Sequence, residues 1–381
     1  MTAKITFHPL GNADCTRLDL ADGQKMLVDY ADVRNVDDAS DRRVDLPKEL
    51  RNDLRAARRD YYNVVLFTHL DDDHCHGVGD FFWLDHAKKY QGEDRIKIRE
   101  LWVPAAAILE EASKDSARLV RQEARYRLKR GSGVRVFSRP EKLKEWLEEN
   151  GLTLKDREHL ITDAGQCVPG FSRSDKERVE FFVHCPFGWR QDEKEIVDRN
   201  QDSVVFQATF LEGGRETRVL FMSDIDHMSI DQIVETTKRN KNEDRLLWDV
   251  FKIPHHCSYL SVGPEKGTDE TKPTEHMKWL CETQGQERGT MMSTSKSIPV
   301  KGSDEDRDPQ PPHRQAAAYY RRVAKAKDGA FKVTMDLPSA SDPRPSTIKI
   351  TARGAMLLGV AVTGGTASVI STPTRAGKAK K

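Results

Sequence analysis

Residues 64–74 read Val64-Val65-Leu66-Phe67-Thr68-His69-Leu70-Asp71-Asp72-Asp73-His74, an apolar run that opens into two histidines and three aspartates. β-Branched and aromatic residues make a strand that can be buried, but imidazoles and carboxylates at its exit can be buried only against something positive. Residues two apart in an extended segment point the same way, so His69 and Asp71 can converge on one ion. Asp73 and His74 must then turn toward a second. Carboxylate oxygen and imidazole nitrogen suit Zn²⁺ or Mn²⁺, and two adjacent ions can clamp the attacking and leaving oxygens of a displacement. The competing reading is a solvated acidic turn with incidental histidines.

Other strand-like segments end in the same way. Lys25-Met26-Leu27-Val28 runs into Asp29, Arg218-Val219-Leu220-Phe221-Met222-Ser223 into Asp224, and Asp249-Val250-Phe251-Lys252-Ile253-Pro254 into His255-His256-Cys257-Ser258. Four strands that each deliver acidic or imidazole groups at the carboxyl end are hard to reconcile with chance.

Around these segments the periodicity alternates between two and about 3.6 residues, which argues an α/β protein. Ile5 to Phe7, Thr16 to Leu20 and Lys25 to Asp29 read as a meander, Leu46 to Arg58 and Gly79 to Tyr90 as helices, and Ile96 to Val103 as a strand. Residues 105–160 read as a mainly helical insertion, after which strands return at Val179 to Val183, Ser203 to Phe210, Arg218 to Met222 and Trp248 to Ile253. The second part thus repeats the rhythm of the first. A helix is expected over His313 to Lys327 and closing strands over Phe331 to Met335, Thr347 to Thr351 and Met356 to Val362. Residues 1–362 are expected to form one domain, and 363–381 a disordered basic tail.

The motifs in this order resemble the metallo-β-lactamase fold superfamily, and within it the branch typified by the hydrolase domain of the DNA-uptake protein ComEC. That branch carries HxDxDH, matched by His69-x-Asp71-x-Asp73-His74, and a late VxHHGS, matched by Ile253-Pro254-His255-His256-Cys257-Ser258. Gly11-Asn12-Ala13-Asp14 and Leu27-Val28-Asp29 echo its opening GxGD and LID, Asn200-x-x-Ser203-Val204-Val205 its NxxSLVL, and Leu220-Phe221-Met222-Ser223-Asp224 its LLTGD. The resemblance implies an αββα sandwich of two similar halves with a site at the sheet edges. It implies that His69 and Asp71 hold one metal and Asp73 and His74 the other, that Asp224 bridges them, and that one of His255 and His256 completes the second while its neighbour faces substrate. Asp29 would support the ligands from beneath, with Asn200 and Ser258 also behind the site. The superfamily's usual third histidine has no clear match, and His184 is the nearest candidate. Ser223 and Cys257 stand where the pattern has glycine.

The resemblance also implies hydrolysis by a metal-activated water, with Asp73, Asp224, His255 and His256 as the catalytic group. Oxygen-rich donors favour harder ions, so Mn²⁺ competes with Zn²⁺, with Mg²⁺ as a third candidate. A phosphodiester is then the favoured substrate, and nucleic acid the favoured phosphodiester. The alternatives are a hydrolase of a small phosphodiester, ester or amide, and a binding or regulatory subunit that retains a metal. An electrostatic track for nucleic acid is expected along Arg118, Arg121, Arg125, Arg127, Lys129, Arg130, Arg135 and Arg139, with Tyr126 or Phe137 available for stacking.

Composition restricts the remaining classes. The 381 residues carry 62 Lys and Arg against 61 Asp and Glu, a formal charge of +1, so no global field forces a nucleic-acid or membrane partner. No apolar run approaches the roughly 20 residues of a membrane helix, and the start of the chain has no signal-peptide pattern, which predicts a cytoplasmic protein without a membrane partner. Six scattered cysteines without a CxxC pair predict reduced thiols, with Cys75 and Cys257 buried.

Overall fold

The run that includes Val64 and Val65 lies inside a nine-stranded sheet, between two parallel neighbours. The computed structural model describes residues 2–359 apart from 112–113, 175 and 194–197. In chain order its strands are β1 (Lys4–Phe7), β2 (Thr16–Asp19), β3 (Lys25–Val28), β4 (Tyr61–Leu66), β5 (Lys97–Pro104), β6 (Val134–Phe137), β7 (Ile161–Thr162), β8 (Val179–Cys185), β9 (Val205–Glu212), β10 (Arg215–Phe221), β11 (Trp248–Lys252), β12 (Gly285–Ser293), β13 (Ala330–Val333), β14 (Pro338–Ser339), β15 (Asp342–Pro343), β16 (Ser346–Thr351) and β17 (Gly354–Leu357). The larger sheet has the order β17-β16-β1-β2-β3-β4-β5-β6-β7 and the second β13-β12-β11-β10-β9-β8, while β14 and β15 form a small ribbon.

The two halves share one plan. In the first, β1, β2 and β3 pair antiparallel and β3 through β7 run parallel; in the second, β8, β9 and β10 pair antiparallel and β10 through β13 run parallel. Parallel neighbours need crossovers, and helices supply them. Leu46–Ala56 links β3 to β4, Asp115–Arg130 links β5 to β6, His227–Arg239 links β10 to β11, and Arg314–Ala326 links β12 to β13.

Three apolar layers give the architecture. Ile5, Phe7, Val64, Phe181, Phe206 and Val219 interdigitate between the sheets. Leu50, Leu54, Val65, Val120 and Leu128 pack helices on the outer face of the first sheet, and Leu220, Ile230, Ile233, Phe251 and Tyr320 do so on the second. The result is the expected αββα sandwich. Its helices obey local rules: Leu46, Leu50 and Leu54 recur every four residues on the buried face, and Asp45 caps the start by accepting the Lys48 N–H at 3.0 Å. Burying each such leucine contributes about 1.5–3 kcal/mol.

Segment 105–160 holds the expected helices, Ala105–Leu109, Asp115–Arg130 and Glu141–Glu149, and also threads β6 into the first sheet beside β5. Leu119, Val120, Ala124 and Leu128 tie its longest helix to the core, so this segment is a wall of the first half and not a detached lid. The helix expected over Gly79 to Tyr90 is reduced to Val78–Phe81 and a turn at Lys88–Tyr90, because Phe82 is extended and bridges Ile96 at the sheet edge. Residues 360–381, with the expected basic tail and the end of the last strand, lie outside the described residues.

Candidate metal centre

Parallel pairing decides where the site forms. β3 and β4 point their carboxyl ends the same way, as do β10 and β11, and the turns leaving all four meet at one rim between the sheets. Crevices beyond the carboxyl ends of parallel strands are where α/β folds collect their ligands. Backbone bonds tie the exits together: the His255 N–H donates to Ser223 O at 3.0 Å, Val204 N–H to Thr68 O at 2.9 Å, and Asp14 N–H to Asp73 O at 2.9 Å.

Two overlapping groups of donor atoms result. Asp14, His74, Asp224 and His256 are buried with ligand atoms within 4.8 Å of one another, and His69, Asp73 and His74 form a second such group. Nε2 of His74 lies 3.3 Å from Asp224 Oδ2 and 3.8 Å from Asp14 Oδ2; Nε2 of His256 lies 3.3 Å from Asp224 Oδ2 and 3.2 Å from Asp73 Oδ2. Asp224 thus stands between the two imidazoles.

The reverse side of each ring is fixed. His74 Nδ1 is 2.9 Å from Asp29 Oδ2, and Asp29 in turn accepts the Thr68 N–H at 2.7 Å and its hydroxyl at 2.9 Å. His256 Nδ1 is 2.7 Å from Thr294 O. A carbonyl only accepts, so His256 donates its Nδ1–H there and turns Nε2 inward, the orientation a metal ligand needs once that nitrogen is deprotonated. His69 Nδ1 is 3.2 Å from the Thr68 hydroxyl.

The donor set fits a cation. His69 Nε2, Asp14 Oδ1 and Asp224 Oδ1 are buried and have no hydrogen-bond partner among the described residues, an arrangement that costs about 1–3 kcal/mol for each group unless something positive is bound. Electrostatics agree. Burial alone would raise the Asp224 carboxyl, yet His256 and His74 hold it well below the usual range. Burial opposes the His256 imidazolium, yet Asp224 and then Asp73 lift it to about 10; His74 is raised in the same sense by Asp224 and Asp29. The pocket's carboxylates therefore demand positive charge.

Other anticipated residues fall as follows. Asp71 is at the mouth, its Oδ1 2.8 Å from Arg199 Nη1 and its Oδ2 3.7 Å from His69 Nε2. His256 enters the cluster while His255 stays outside it, partly exposed. His184 is not brought to the site: its Nε2 lies 2.9 Å from Arg245 O and its ring packs on Phe182. Asn200 sits in the turn that carries Arg199, with a buried side-chain oxygen. Ser258 caps the next turn by accepting the Leu260 N–H at 3.3 Å and is not among the clustered metal-ligand candidates. Most of the expected basic track is engaged within the chain, while Arg118 and Lys129 are exposed and make no ion pair among the described residues. Arg121 and Arg125 donate to the carbonyls of Glu110, Glu111 and Ile108, Arg127 is buried against Glu123, Arg130 pairs with Asp85 and Arg139 with Asp163. Phe137 is buried between the sheets and cannot stack on a base, whereas Tyr126 is exposed.

Three residues escaped the sequence reading as parts of the site. Asp14 was visible only as the last residue of the GxGD echo; here it faces His74 and is paired at 2.6 Å with the buried ammonium of Lys252. Arg199, gripped by Glu110 and Asp71, left no pattern in the sequence. Thr294 enters only through its carbonyl, which no side-chain pattern reports.

Backbone strain gathers at the same rim. Asp29, Ser223, His255, His256 and Cys257 all have positive φ, between 45° and 69°. Non-glycine residues seldom adopt this region, and they cluster in it at functional sites. Ser223 and Cys257 are the two positions where the resembling motifs have glycine, the residue that adopts this region without steric cost.

Fold and site together define an αββα protein with a buried histidine–carboxylate centre shared by its two sheets. No protein-family model and no curated protein matches the chain. Among solved structures it is similar to a new diphosphatase from the PhnP family, with a TM-score of 0.31, 10% identity, and coverage of 83% of this chain and 96% of that one. It is similar also to unliganded yeast PDE1, with a TM-score of 0.41, 11% identity, and coverage of 87% and 96%. Neither likeness carries a functional inference for this chain.

Proposed function

We propose that the chain is a metal-dependent phosphodiesterase acting on nucleic acid. The observation that carries this reading is the convergence of buried His69, His74, Asp224, His256 and Asp14 with the half-buried Asp73, where His69 Nε2, Asp14 Oδ1 and Asp224 Oδ1 lack hydrogen-bond partners among the described residues. Asp71 offers its Oδ2 beside His69. Divalent ions held there, Zn²⁺ or Mn²⁺ with Mg²⁺ as a third candidate, supply a nucleophile at neutral pH and neutralise charge on a phosphoryl oxygen.

The protein's own groups do the rest. Asp29 and the Thr294 carbonyl orient His74 and His256. Lys252 holds Asp14 against the cluster. Arg199, whose guanidinium is held by Glu110 and Asp71, fixes the Asp71 carboxylate at the mouth beside His69. His255, outside the donor cluster and next to it in sequence, is the proposed proton donor to the leaving oxygen.

The test is incubation of the purified protein with single-stranded DNA, double-stranded DNA, RNA and bis-p-nitrophenyl phosphate under Mn²⁺, Zn²⁺ or Mg²⁺. Hydrolysis that disappears in Asp73→Ala is the expected result. Unchanged hydrolysis in that variant, or no cleavage of any diester with any of these metals, overturns the reading.

A further inference from the structure

The rim opposite the metal centre carries a different kind of chemistry. Helix Leu46–Ala56 and the turn after it separate two grooves, one of about 770 Å³ and one of about 650 Å³, which share Arg59. Together their linings hold eight Lys and Arg against four Asp, an excess of four positive charges in a chain whose total is +1. Balanced charge over the whole chain therefore conceals one strongly basic surface.

The arginines of the first groove differ from several others in what they bind. Arg130, Arg139, Arg199 and Arg245 all pair with carboxylates. Among the described residues, Arg51, Arg55, Arg58 and Arg59 make no ion pair; Arg51 donates to the Asp94 carbonyl, and Arg55 and Arg59 donate to the side-chain oxygens of Asn52 and Asn63, each at 3.1 Å. Arg51 and Arg55 are one helical turn apart and so lie side by side. Beside them Tyr61 has the guanidinium of Arg99 3.6 Å from its ring centroid and that of Arg59 at 5.3 Å. Guanidinium groups without carboxylate partners, set in grooves beside an aromatic ring, are the makings of a surface for a nucleic-acid strand.

We propose that this rim is a nucleic-acid-binding exosite that grips the phosphate backbone at a distance from the metal centre. It deepens the nuclease reading and relies on it for the identity of the polyanion. Arg58 and Arg59 lie just before β4, and His69 lies just beyond its far end, so the length of a six-residue strand, about 20 Å, separates the two. A small diester can occupy the centre alone. A long strand can engage both.

The experiment compares the full chain with Arg55→Ala/Arg58→Ala/Arg59→Ala. Binding of a fluorescent oligonucleotide of about 30 residues is followed by anisotropy across salt concentrations with chelator present, alongside hydrolysis of bis-p-nitrophenyl phosphate with metal. The expected result is at least about tenfold weaker binding, a slope of log K against log salt reduced by about two, and unchanged hydrolysis of the small diester. The corresponding triple lysine variant should keep the salt slope. Unchanged affinity and slope in the alanine variant overturn the exosite, as does a wild-type protein that binds anionic lipid vesicles but no oligonucleotide. A protein that binds through these arginines yet cleaves no diester leaves the exosite standing and removes the nuclease reading.

Discussion

Asp29 and His74 are bound at 2.9 Å through Oδ2 and Nδ1, and this contact sets which nitrogen of His74 faces the cluster. Asp29 has positive φ, and its own carboxylate is fixed by Thr68 at the exit of β4. One strand end thus aligns a ligand candidate delivered by another.

From this contact we predict that Asp29→Asn lowers divalent-metal affinity about 10–100-fold while leaving the far-ultraviolet circular dichroism unchanged, because outer partners of histidine ligands have effects of that size. Competition with a chromophoric chelator measures it. Full affinity in the variant means that His74 needs no such support.

The neighbouring histidines should separate cleanly. His256→Ala is expected to remove tight metal binding, since its Nε2 faces Asp73 and Asp224. His255→Ala should retain metal and lose about 10²–10⁴ in kcat, the range for a lost general acid. Metal content of the purified variants by mass spectrometry, set beside their kinetics, checks the pair; a reversed pattern exchanges their roles.

Acid should weaken the fold through buried histidines outside the donor cluster. Burial holds His184 down to about 4, and His8 likewise. Above pH 6.5 these rings are neutral whether the chain is folded or not. As pH falls through 6.5 the unfolded chain takes up protons that the folded chain refuses until about pH 4, so stability is lost across that window, by up to about 3 kcal/mol for each ring. Denaturant titrations from pH 7 to pH 4 should show a shallower loss in His184→Gln than in the wild type. Parallel slopes would remove His184 from the account.

Ser223 offers a test of the strained rim. Its φ of 49° costs a non-glycine residue about 1–2 kcal/mol, whereas glycine is free of that cost and loses about 0.5–1 kcal/mol through its looser unfolded chain. Ser223→Gly is therefore expected to match the wild type or exceed it by up to about 1 kcal/mol. Ser223→Val, β-branched at positive φ, should destabilise by more than about 2 kcal/mol. Urea unfolding of both variants decides; a marked loss in the glycine variant would mean that the Ser223 hydroxyl, 3.4 Å from His69, matters more than the backbone.

Much of this was legible because the signals were local. A strand that ends in His69 to His74, another that ends in Asp224 and a third that ends in His255-His256 announce a rim of donors wherever their neighbours lie. Leu46, Leu50 and Leu54 announce a helix by spacing alone. Sequence could not choose between His255 and His256, because the choice depends on a carbonyl 38 residues further along the chain. Nor could it find Asp14, whose relation to His74 arises when β1 and β4 are brought into one sheet. The arginines from Arg118 to Arg139 were hard to read for a related reason: charge counted along a helix does not reveal that Arg127, Arg130, Arg135 and Arg139 already pair with carboxylates, whereas Arg55, Arg58 and Arg59, which make no ion pair among the described residues, drew no notice.

Asp224 contributes a further consequence through its position between His74 and His256. These residues come from opposite halves of the chain, so an ion seated among them would act as a clasp across the seam between two sheets. Neither half expressed alone would own a complete set of donors. The metal-loaded protein should then unfold as one cooperative unit, while the stripped protein gives way first where the halves meet.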